Sequence, residues 1–144
     1  MSYRNCEGYS DPTAGAVISA MMREYRQRQR KRFSDRNRRK VYVVSRYAGD
    51  VSANVAAAVR YCRYVIDAGY MPLASHLLYP QMLDDGRPEE REMGLAFGLA
   101  LLALCDEVWI FDDGRGLSDG MAAEEREARR LGKAVRRFGR EVVS

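Results

Sequence analysis

Four short runs rich in β-branched and aromatic residues punctuate the chain after residue 40: VYVVS (41–45), YMPLAS (70–75), DEVWIF (106–111) and KAVRRF (133–138). Between them lie three stretches of helical pattern, VSANVAAAVRYCRYVIDAG (51–69), EEREMGLAFGLALLALC (89–105) and SDGMAAEEREARRLG (118–132). Asp50 or Ser52 can cap the first helix, and Gly69 can end it. The acidic start of the second suits the helix dipole. Strands that alternate with helices need crossover connections, and crossovers make a parallel sheet with helices on both faces. The expected fold class is therefore α/β.

The front of the chain follows a different grammar. The formal net charge is +4, but residues 1–40 hold 11 Lys/Arg against 4 Asp/Glu, and the remainder 13 against 16. Residues 11–32 have a helical pattern, with Asp11 as cap and Pro12 at the first helical position. Val17, Ile18, Met21, Met22 and Tyr25 fall at three- and four-residue steps and form one apolar stripe, suited to docking on the body or on a second subunit. After Tyr25 the stripe gives way to RQRQRKRFSDRNRRK. Two readings of that stretch stand: a solvated tether, or a contact with the phosphate charge of a nucleic acid or a membrane surface, of which nucleic acid through residues 23–40 is the partner retained. The expected organisation is a basic helix and tether over 1–40, then an α/β domain over 41–144.

Other classes are disfavoured. The longest apolar run, MGLAFGLALLALC, is about a dozen residues, short of the roughly 18 that span a bilayer. The first residues, MSYRNCEGYSDP, lack the apolar centre of a secretory signal. Cys6, Cys62 and Cys105 are too few and too scattered for a disulfide framework or a zinc site, and the last two fall in apolar patterns. A cytoplasmic protein without membrane contact, metal or cofactor is expected.

In parallel sheets ligands bind at the carboxyl ends of the strands, where strand order reverses. Three loops reach that edge. The first offers Ser45, Arg46, Tyr47, Gly49 and Asp50; glycine lets backbone approach a ligand, and the helix start behind it offers amides to an anion. The second carries His76, the single histidine. The third leads to Ser118, Gly120 and Met121 at the start of the last helix, where hydroxyl and amides suit a phosphate or a sugar hydroxyl. Ser118 also suits a plain N-cap. Glu124, like Glu125 and Glu127, reads on its own as surface charge.

Together these residues resemble the nucleoside 2-deoxyribosyltransferases and the related deoxynucleoside monophosphate N-glycosidases. The resemblance rests on VYVVS with its loop, on PLASH, on CDEVWIF, and above all on Ser118-x-Gly120-x-x-x-Glu124 followed by Ala128. It covers about residues 41–138. It implies a Rossmann-like doubly wound parallel sheet of four to five strands, preceded here by the basic helix. It also implies a pocket for a nucleoside or nucleotide, and a homo-oligomer. By that resemblance Glu124 attacks the anomeric carbon and expels the base. Ser118 and Gly120 hold the sugar 5′ end, and Ser45 with its loop helps form the pocket. A fixed carboxylate both stabilises an oxocarbenium-like transition state and can bond to carbon.

Two departures stand out. The family's first loop often reads Ser-Pro-Tyr-Arg-Gly, whereas here it reads Ser45-Arg46-Tyr47-Ala48-Gly49, which displaces the arginine. The acid that helps protonate the leaving base aligns with Gly98. Glu89, Glu90, Glu92, Asp84 and Asp85 are the carboxylates available nearby. A nucleotide-binding module without turnover is the alternative expectation.

Overall fold

The computed structural model describes residues 12–142 and divides into two units after Asn37. The described part of the first unit is one helix, α1 (Pro12–Arg36). The helix expected to end at residue 32 runs four residues further, to Arg36, through the charged stretch that also read as a tether. Arg, Gln and Lys are good helix formers, and no Gly or Pro interrupts them. Asn37 ends it, its backbone N–H and side-chain amide both donating to the Phe33 carbonyl, at 3.2 and 2.7 Å. The expected Asp11 cap and Cys6 lie outside the described residues.

The second unit carries β1 (Lys40–Val44), α2 (Val51–Asp67), β2 (Met71–Leu73), α3 (Pro88–Leu104), β3 (Glu107–Phe111), α4 (Asp119–Arg130) and β4 (Ala134–Phe138). The strands form one parallel sheet in the order β2-β1-β3-β4. Strand order reverses at β1, which sends the chain to β2 on one side and takes β3 on the other. The fold is the expected α/β, Rossmann-like arrangement with four strands. β2 is shorter than expected, and Pro72, which lacks an N–H, is tolerated because β2 is an edge strand. The segment expected as a loop after it coils into two 3₁₀ turns, Ser75–Leu77 and Tyr79–Gln81.

Alternation along the strands builds two cores. Val41, Val43, Trp109 and Phe111 face one way and pack with Tyr61 and Val65 of α2. Tyr42, Val44, Val108 and Ile110 face the other way and pack with Leu102 of α3 and with Met121 and Ala128 of α4. Full burial of each large side chain contributes about 1.5–3 kcal/mol. Stacked rings join the α2 face, Tyr61 on Phe111 at 4.6 Å and Phe111 on Phe138 at 5.1 Å. At the amino end of β3 the buried Glu107 carboxylate accepts from Trp109 Nε1 at 3.1 Å and pairs with Arg39 and Arg136 at 3.0 and 3.2 Å.

Candidate functional site

Helical spacing decides what α4 presents to the sheet. Met121, Glu124 and Ala128 fall at i, i+3 and i+7, on one face. Met121 and Ala128 are buried in the core. Glu124 shares their side of the helix and is turned inward. Glu125 and Glu127 are not: they pair with Arg129 and Arg130 at 3.1 and 2.6 Å along the helix surface.

Inward, Glu124 meets Tyr42. This tyrosine is the second residue of the VYVV run and is fully buried. Its hydroxyl lies 2.8 Å from Ser75 Oγ, which the first 3₁₀ turn brings under the sheet edge, and is close enough to the Glu124 carboxylate to act on its charge. Burial pushes the Glu124 carboxyl up to about 7, although the Tyr42 hydroxyl pulls the other way. The Tyr42 phenol is raised well above its ordinary value, first by burial and then by the Glu124 charge beside it. A tyrosine has one proton to give. With Glu124 ionised that proton points to the carboxylate, and Ser75 donates to the Tyr42 oxygen.

Gly98, in α3, faces the same group. A Cβ built there lies 3.5 Å from the Tyr42 hydroxyl oxygen and 3.5 Å from Ser75 Oγ. Position 98 is therefore one from which a side chain reaches these oxygens, and the residue there has no side chain. Of the neighbouring carboxylates, Glu89 and Glu90 pair with Arg87 at 3.0 and 3.4 Å, and Asp84 accepts from the Gly86 amide at 2.9 Å. Glu92 is exposed. Asp85 is close enough to His76 to act on its charge.

The loop after β1 is tied to both neighbours. Ser45 is buried, and its Oγ has no hydrogen-bond partner. Tyr47 stacks on His76 with ring centroids 4.9 Å apart. His76 is lowered from its ordinary value by burial, opposed by a bond to the Ser45 backbone, and is neutral at pH 7. Arg46 reaches across to the loop after β3, donating to the Gly116 carbonyl at 2.9 Å with Asp113 at 3.7 Å. Asn54 of α2 holds the first loop from behind by donating to the Tyr47 and Ala48 carbonyls at 2.9 and 3.1 Å.

The other expected site residues take simpler places. Gly49 has a positive φ of 100° and turns the chain into α2, whose cap is Asp50, accepting from the Ala53 amide at 3.2 Å. Ser118 caps α4 by accepting from the Met121 amide at 3.3 Å, leaving its own proton free to donate. Gly120 is exposed. The Met121 side chain lies in the core and not at the edge, because it occupies the inner face of α4. Tyr42, Ser75 and Asn54 were not among the expected site residues. Tyr42 carried a signal, a hydroxyl inside an otherwise aliphatic strand, and such a hydroxyl needs a partner. Ser75 and Asn54 carried none.

Among the described residues no three His, Cys, Asp or Glu side chains cluster in a way that could hold a metal ion. No described helix is long and apolar enough to cross a membrane.

The second unit is similar in structure to the 2-deoxyribosyltransferase from the psychrotolerant bacterium Bacillus psychrosaccharolyticus, with a TM-score of 0.59 and 18% identity over 69% of this chain and 72% of that one. It is similar also to a 2-deoxyribosyltransferase from Leishmania mexicana, with a TM-score of 0.53 and 15% identity over 70% of this chain and 64% of that one. At such identities the likeness is one of fold. No curated protein matches the chain. Residues 39–138 match the family described as "Domain of unknown function (DUF7768)", which spans the sheet and every loop of the site, and the chain belongs to that family.

Proposed function

We propose that residues 41–144 form a domain that cleaves or transfers the N-glycosidic bond of a nucleoside or nucleotide, with Glu124 as nucleophile. The observation that carries this reading is the Tyr42–Glu124 pair, a carboxylate turned inward beneath the carboxyl edge of the sheet. Glu124 attacks the anomeric carbon, the bond to the base breaks with its electrons leaving on the base, and a glycosyl ester forms. Water or a second base then takes the sugar. The hydroxyl beside the carboxylate favours its charged form, and low solvation keeps it reactive toward a cationic centre. The buried, unpartnered Ser45 Oγ and the Ser118 hydroxyl suit the sugar oxygens. His76 and Tyr47 form an aromatic wall for the base.

A second reading is favoured by Gly98. With no acid at that position, the leaving base lacks a donor, and general-acid help is worth about 10²–10⁴-fold. The domain would then bind a nucleotide without turnover. Chromatographic base release over a panel of deoxynucleosides, ribonucleosides and their monophosphates separates the two. Release by the parent and none by Glu124→Ala supports the first reading. Ligand-induced rise in Tm without product supports the second.

Two partners belong to the same proposal. The helix α3 leaves Leu95, Phe97 and Leu104 exposed, and an all-round apolar helix is usually covered. A second copy of the chain covers it, and Leu95→Glu lowers the mass measured by light scattering. The basic residues 23–40 contact nucleic acid, with an affinity that falls steeply with salt.

A further inference from the structure

The face of the sheet opposite Glu124 carries a concavity. It is a groove of about 560 Å³ beside α2, the loop after β3 and the turn after β4. Ala53, Ala57 and Arg60 of α2 fall at i, i+4 and i+7, so two small side chains form its floor and a guanidinium stands at its rim. Arg115 comes from the loop after β3 and Arg140 from the turn Arg140–Val142.

The charges there do not balance. Asp113 is the one carboxylate lining the groove, and it is shared between Arg115 and Arg46. Among the described residues Arg60 and Arg140 have no carboxylate partner. Three guanidiniums against one carboxylate leave an excess of two positive charges. The Tyr61 hydroxyl stands among them: burial raises its pKa, as do Asp113 and Asp112, the latter paired with Arg137 at 3.7 Å, while Arg60 and Arg115 both pull it down. Both guanidiniums therefore lie within electrostatic reach of one hydroxyl donor.

We infer that this groove binds a small molecule bearing a phosphomonoester or pyrophosphate group. A dianion matches the excess charge, where a monocarboxylate neutralises half of it. Guanidinium forks bind phosphate oxygens in pairs and stay charged at all working pH values. The volume lies in the range of small-molecule sites and exceeds what a bare inorganic ion fills. Arg60, Arg115 and Arg140 clamp the phosphate, Tyr61 donates to it, and the space over Ala53 and Ala57 takes the rest of the ligand. The site is separate from Glu124 and does not depend on the glycosidic reading.

The test is calorimetric titration of the full chain at low ionic strength with inorganic phosphate, pyrophosphate, a nucleoside monophosphate and a 12-nucleotide single strand. Arg60→Gln/Arg140→Gln and Glu124→Gln are titrated beside the parent. Arg60 and Arg140 are exposed, so the double variant keeps its fold, which its Tm checks. The expected result is saturable binding of inorganic phosphate or pyrophosphate, unchanged in Glu124→Gln and weakened by about tenfold or more in the double variant, whereas a nucleotide held only at the Glu124 site binds the double variant as it binds the parent. A monophosphate affinity that falls together with that of pyrophosphate in the double variant identifies a nucleotide, and one that does not fall identifies the bare phosphate group, as the element recognised. Three results overturn the inference: no saturable binding of inorganic phosphate or pyrophosphate, binding of these that survives the double variant, or binding of the single strand alone.

Discussion

The Tyr42 hydroxyl lies 2.8 Å from Ser75 Oγ and within electrostatic reach of the Glu124 carboxylate, which brings β1, the turn after β2 and α4 together at one oxygen. The hydroxyl lowers the carboxyl pKa that burial raises. Tyr42→Phe removes it. The midpoint of the pH–rate curve for base release should then move up by about one unit. Stability should fall by about 1 kcal/mol, because Ser75 keeps a buried hydroxyl without its partner. A purely structural tyrosine would lower stability and leave the midpoint in place.

Glu124 should also make stability depend on pH. Its ordinary value is 4.5 and its folded value about 7. Between the two the folded chain holds a proton that the unfolded chain has lost. The stability linked to that proton is fully present below 4.5 and is lost as pH rises through about 7. Glu124→Gln removes the dependence. Denaturant unfolding should find parent and variant alike near pH 4.5, and the variant more stable by about 2 kcal/mol at pH 8. Parallel pH profiles for the two proteins would count against a buried carboxylate.

Position 98 has room for a side chain. A Cβ there makes only ordinary contacts of 3.5–3.6 Å. Gly98→Ala should therefore stabilise α3 by up to about 1 kcal/mol, the usual gain inside a helix. Gly98→Asp places a carboxyl beside Tyr42, and base release should rise by about 10²-fold if a proton donor is what the site lacks. An unchanged rate in a folded Gly98→Asp protein would rule out this position as the place for the donor.

Glu107 anchors the opposite end of β3. Burial raises its carboxyl, but the Trp109 N–H, Arg39 and Arg136 lower it further, and the net value falls below the ordinary one. Its contribution is present above the unfolded value and is lost as pH falls through the folded one. Glu107→Ala leaves the Trp109 N–H buried without an acceptor. A loss of about 2 kcal/mol is expected by thermal or chemical unfolding, with a smaller loss in Glu107→Gln.

The sheet was legible because its strands are short, β-branched and evenly interrupted, so VYVV and EVWIF could be assigned from pattern alone. The last four residues of α1 were not, since the loss of an apolar stripe marks the loss of a buried face and not of a helix. At the site, Ser118 and Asp50 were readable as caps because capping is local. Glu124 sat among three similar glutamates, and only its i+3 and i−4 relation to Met121 and Ala128 tells it from Glu125 and Glu127. Tyr42 and Ser75 meet across 33 positions, and nothing local in the chain announces such a contact.

Arg46 holds the loop after β1 against the loop after β3. Two of the three loops at the carboxyl edge are thus ordered beforehand, and a ligand entering between them does not bear the entropy of arranging them. Binding should accordingly be fast and governed by encounter, without a slow gating step, and differences in affinity among nucleosides should appear in how long each one stays.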